Sequence, residues 1–115
     1  MWRVIVINNA GQLFRRGIRM QRYIVLINFT DKGMKKIKNL PERIQGVRRR
    51  IEEIGGKFVS WNLTMCKYDS VAIIELPDDD SVARLLLGAG KAGYIETTTL
   101  RAFPESQVAE IVTKI

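Results

Sequence analysis

Tyr68 and Asp69 place a phenol beside a carboxylate in the stretch Met65-Cys66-Lys67-Tyr68-Asp69. Trp61, Glu75, Glu96 and Arg101, on neighbouring apolar segments, add an indole, two carboxylates and a guanidinium. Gathered around an apolar space, these six side chains form the kind of set that holds a small molecule through a few convergent polar groups. Asp69 also has a purely structural use, because an aspartate in a turn bonds readily to nearby backbone N–H groups. Catalytic machinery is thin. The chain has no histidine, which removes the histidine-based triad, the histidine-ligated zinc and the commonest general base. One cysteine, Cys66, without a histidine is a poor nucleophile. No catalytic residue is assigned, and neither a cofactor nor a metal is expected.

Three further motifs have simple physical readings. Gly88-Ala89-Gly90-Lys91-Ala92-Gly93 spells the Gly-x-Gly-x-x-Gly of dinucleotide sites, but that motif must follow a strand and open a helix. Here it follows a helical pattern and precedes a strand, so it reads as a helix stop and turn. Asp78, Asp79 and Asp80 point in different directions on a helix and suit dipole compensation better than cation binding. Lys36, Arg43 and Arg50 recur every seventh residue and would share one face of a helix, either solvated or meeting phosphates.

The elements that must position these residues follow from periodicity. Residues 23–29, YIVLINF, read as a strand. Ile37, Leu40, Ile44, Val47, Ile51 and Ile54 recur at alternating spacings of 3 and 4, the stripe of an amphipathic helix. Pro41 interrupts it and predicts a short helix over about 31–38 and a longer one over about 41–54, stopped by Gly55-Gly56. Residues 57–65 and 69–76 are strands joined by a short turn. A helix follows Pro77, a threonine-rich strand runs over 94–103, and residues 104–115 close the chain as a helix.

The order βαββαβ, with a C-terminal helix after it, predicts a ferredoxin-like α+β fold: a four-stranded antiparallel sheet with helices on one face. The other face is then a problem. Val71 and Ile73 alternate with Ala72, Ile74 and Leu76, and Tyr23, Val25 and Ile27 with Ile24 and Leu26, so both faces are apolar. The simplest cover is the same face of a second copy across a two-fold axis, with an interface of about 1,200–2,000 Å². A homodimer through sheet faces is therefore expected.

Composition agrees with one globular domain: 46% hydrophobic and 27% charged residues. No run approaches the length of a membrane span, and the lone cysteine suits a reducing compartment, so a cytoplasmic location is expected. The net charge of +7 is uneven, being +11 over residues 1–50 and −4 over 51–115. Residues 20–115 alone carry +3, so much of the basic character lies in the first 19 residues. That segment reads as an appendage, with a short strand over 2–7 and a turn at Asn8-Asn9-Ala10-Gly11. Met20 is expected to be the natural start of a domain over 20–115.

YIVLINFTDKGMKKIK, the Gly-Gly after the long helix, TMCKYDSVAIIELPDDD and TTTLRAF together resemble the GYD domain, a family of small, mostly uncharacterised bacterial and archaeal proteins. The resemblance covers roughly residues 20–115 and implies a dimeric α+β barrel. The motif for which that family is named, Gly-x-Tyr-Asp, falls on Cys66-Lys67-Tyr68-Asp69, with cysteine replacing glycine. That replacement implies a turn without a positive φ at residue 66, or one built differently. The family carries no established reaction over. The function expected is a homodimeric small-molecule-binding or structural module. A cofactor-independent oxygenase or isomerase is the competing reading, resting on fold analogy alone. Salt-sensitive nucleic-acid association through Lys36, Arg43 and Arg50 is a third. RNA recognition of this topology needs aromatics on the central strands, whereas Val71, Ala72, Ile73 and Ile74 occupy the third strand.

Overall fold

The structure, a computed structural model, describes residues 5–7, 13–15 and 20–115. Strands β1 (Ile5–Ile7) and β2 (Leu13–Arg15) pair antiparallel in a sheet of their own. Trp2 and the turn expected at residues 8–11 lie outside the described residues. The main body runs β3 (Gln21–Phe29), α1 (Asp31–Lys35), a 3₁₀ turn (Ile37–Asn39), α2 (Leu40–Glu53), β4 (Lys57–Leu63), β5 (Ser70–Leu76), α3 (Asp79–Ala92), β6 (Ile95–Ala102) and α4 (Glu105–Val112). Its sheet has the order β4-β5-β3-β6, antiparallel throughout. This is an α+β fold, and its strand order is consistent with the ferredoxin-like arrangement.

Local chemistry sets the boundaries. Thr30 caps α1 by accepting from Gly33 N at 3.0 Å. Pro41 falls in the first turn of α2, where its missing N–H costs nothing. Gly55, with φ +84°, follows the helix end as the Gly-Gly stop requires. Asp78 caps α3, its carboxylate accepting from Ser81 N at 2.8 Å. That bond holds the Asp78 carboxyl below the usual carboxylate range. At the other end Gly93, with φ +82°, forms the left-handed cap. Gly88 and Gly90 lie within α3, so the helix runs through the glycine motif and stops at its last residue.

The helix-covered face of the sheet carries Tyr23, Val25, Ile27, Phe58, Ala72, Ile74 and Leu76, which with Ile51, Val82 and Leu85 form the buried core. The opposite face carries Ile24, Leu26, Val71 and Ile73, all half-buried, and Leu100, which is 48% exposed. Simple alternation separates Phe58 from Trp61, yet Phe58 pairs with Ile74 and Trp61 with Ala72, two residues of one face. A β-bulge between Phe58 and Ser60 supplies the extra residue that brings both aromatics under the helices.

Candidate functional site

The turn between β4 and β5 is built around Asp69. Its carboxylate Oδ2 accepts from Phe29 N at 2.8 Å, and its own N–H donates to Ile27 O at 2.8 Å. Thr64 closes the turn from the other side, its N–H donating to Asp69 O at 2.9 Å and its hydroxyl to Tyr68 O at 2.7 Å. Asp69 therefore ties the turn to the end of the central strand. Cys66 sits at φ +75° and is exposed. The turn does use the left-handed region at that position, which overturns the expectation that replacing glycine relieves the need for it. The cysteine adopts the conformation at a cost of about 1–2 kcal/mol for a residue bearing a Cβ.

The six candidate ligand-binding residues separate. Tyr68 and Asp69 stand at the turn, Lys67 Nζ lying 5.6 Å from the Tyr68 ring centre. Glu75 is on the helix-free face, bound to Arg22 with Oε2 at 2.9 Å from Nη2 and 3.0 Å from Nε. Glu96 shares that face, opposite Asn28. Arg101 is on the other face, opposite Tyr23, and donates to Arg22 O at 3.2 Å. Trp61 lines a cavity beneath the helices.

That cavity, of about 360 Å³, lies between α2, α3 and the sheet. The pocket that a dimeric barrel implies would instead lie on the opposite, helix-free side. Val25, Ile27, Phe58, Ala72, Ile74 and Leu85 make its apolar wall. Two of the three basic candidates, Arg43 and Arg50, also line it, whereas Lys36 precedes α2 at the end of α1. Arg43 lies over Tyr94, with its guanidinium carbon 4.5 Å from the ring centre, and donates to Lys36 O at 3.0 Å. Tyr94 receives Lys32 as well, at 4.7 Å. No sequence signal joined Arg43 to Tyr94, which is 51 positions away by residue number.

Tyr23 closes the far end of the helix-covered face. Its hydroxyl donates to Asp79 Oδ1 and lies 2.6 Å from Gln21 Oε1. Burial, with the hydrogen bond to the Asp79 carboxylate, pushes its pKa from 10.0 up to about 12.

A family model of the GYD domain matches residues 23–112. The chain belongs to the GYD-domain family. The match runs from Tyr23, the third residue of β3, through the last residue of α4, so it takes in the Asp69 turn and the helix-bounded cavity of this GYD domain. A curated relative from Thermus thermophilus is 33% identical over 97 residues, covering 84% of this chain and 99% of that protein. It is named "Glutamine synthetase and cystathionine beta-lyase binding protein". No solved structure matches the chain. Among the described residues of the GYD-domain protein, no helix is long and apolar enough to cross a membrane.

Proposed function

We propose that this GYD-domain protein is a homodimeric, cytoplasmic binding module that docks onto other proteins. The observation that carries the reading is the apolar surface that stays exposed among the described residues. Leu100 is 48%, Phe103 54%, Val108 44% and Val112 54% exposed. Val108, Ile111 and Val112 share one side of α4, the spacing with which a helix enters a groove. On the sheet, Ile24, Leu26, Val71 and Ile73 make an apolar strip between the Arg22–Glu75 pair and the polar Asn28 and Glu96. A second copy with the same strip covers it, and the charged rims fix its register. Glu75 and Glu96 would then meet the partner subunit, and a polar ligand held between sheets would contact them.

The relative's printed name supports protein partners rather than a reaction. Two measurements test the reading separately. Light scattering should give twice the subunit mass at micromolar concentration, falling to one subunit in Ile73→Asp. Purified glutamine synthetase from the same organism should bind the wild-type protein on a sensor surface and should not bind Val108→Glu/Val112→Glu. A monomer would remove the assembly, and failure of both this enzyme and cystathionine β-lyase to bind would remove the docking role.

A further inference from the structure

The cavity between α2, α3 and the sheet is independent of the docking surfaces just described. It exists because small residues meet there: Gly46 on α2, Gly88, Ala89 and Ala92 on α3, and Ala72 on the sheet. Small residues alone leave a gap, not a site. Three buried side-chain atoms have no hydrogen-bond partner among the described residues: Arg43 Nη2, Ser70 Oγ and Thr99 Oγ1. The first two belong to residues that line this cavity. Ser70 is fully buried, on the helix-covered face of β5. A hydroxyl in such a place ordinarily finds a partner, because leaving it unpaired costs about 1–3 kcal/mol.

Arg43 is prepared to hold an anion. Its guanidinium carbon lies 4.5 Å from the Tyr94 ring centre and Nη1 donates to Lys36 O at 3.0 Å, so two contacts tether the group. Nη2 is left over, buried and without a hydrogen-bond partner among the described residues. Arg50 stands two turns along the same side of α2, with Nη1 3.3 Å from the point that a Cβ on Gly88 would occupy. The cavity thus has apolar walls, one tethered guanidinium, a second cation at its edge and a hydroxyl in the floor. Among the described residues, no carboxylate side chain lines it. That combination selects against a cation and against a highly polar metabolite.

We infer that this cavity binds a small amphipathic carboxylate, a monoanion on an aliphatic or aromatic body, with its carboxylate on Arg43 and its apolar part against Trp61, Phe58 and Leu85. The volume lies at the lower end of the range for small-molecule pockets, about 300–1,000 Å³, which suits a body of modest size. Ser70 Oγ supplies an added polar contact in the floor.

Calorimetric titration of the full chain with decanoate, 2-naphthoate and decan-1-ol tests this. At least one of the two carboxylates should bind, and decan-1-ol should bind about tenfold or more weakly than decanoate because it lacks the charge-assisted contact. Arg43→Met, which keeps an apolar wall, should weaken the bound carboxylate about tenfold, and Ala89→Phe should abolish binding by filling the space. Ser70→Ala should weaken binding severalfold while leaving the thermal midpoint unchanged or higher. Absence of carboxylate binding at about 1 mM overturns the inference. So does equal binding of the alcohol, or carboxylate binding unchanged in folded Arg43→Met and Ala89→Phe alike, which would place the ligand on the outer surface. If a variant fails to fold, the comparison of decanoate with decan-1-ol on the wild-type protein still decides.

Discussion

Cys66 carries a penalty that the glycine of the family motif would not. Glycine occupies φ +75° without a steric cost, but it also gains freedom in the unfolded chain, offsetting about 0.4–1 kcal/mol. Cys66→Gly is therefore expected to stabilise the protein by about 0.5–1 kcal/mol in urea unfolding, with an unchanged m-value. Asp69 works in the opposite sense. Asp69→Ala removes the acceptor of the Phe29 N–H and should cost about 1–3 kcal/mol by the same assay. Tyr23 gives a pH signature. Its folded-state pKa of about 12 is above the ordinary 10.0, so the folded protein favours the neutral phenol. The stabilisation is complete below pH 10 and is lost as pH rises toward 12. Tyr23→Phe should flatten that part of the stability curve, and thermal unfolding across the range measures it. At this scale the residue types were legible in the sequence, and Asp69 as a turn aspartate was readable from chemistry alone. The φ of residue 66 was not, because a cysteine gives no local signal that the chain around it demands a left-handed conformation.

Elements were more legible than single side chains, since periodicity integrates over many residues. The spacing of Ile37, Leu40, Ile44, Val47, Ile51 and Ile54, with Pro41 set into it, marked the break and the longer helix, and the structure begins α2 at Leu40. Ile51 from that stripe is fully buried, but Val47 is 38% exposed. The stripe faces inward without being sealed because α3 offers glycine and alanine where it approaches. The phase of β4 was illegible: a bulge adds one residue, and nothing in Phe58-Val59-Ser60 announces it. Gly33 shows how closely elements approach. A Cβ there would lie 2.2 Å from Tyr94 O, a backbone atom that cannot swing aside. Gly33→Ala should destabilise the fold by about 1–3 kcal/mol, more than a helix propensity gain can return, and chemical denaturation will show it.

Among the described residues, the four-stranded sheet has two apolar faces, and helices pack on one of them to form the core. That much followed from the alternation of Val71 to Leu76, and so did the expectation of a second copy. The cavity did not follow, since its existence depends on how far apart α2 and α3 stand, a distance that no sequence pattern encodes. Arg43 illustrates the same gap: it read as part of a solvated basic stripe, yet it bonds to the Lys36 carbonyl and lies against Tyr94. The end of β3 collects ties from remote parts of the chain. Phe29 N bonds to the Asp69 carboxylate, while Thr30 N donates to Tyr94 O at 3.1 Å and Thr30 Oγ1 to Gly93 O at 2.6 Å. No local fraying can free these groups without parting β5 or β6 from the strand between them. Deuterium should accordingly enter the amides of Phe29 and Thr30 only at the pace of global opening, although they stand at the end of a strand, just before a short, exposed helix.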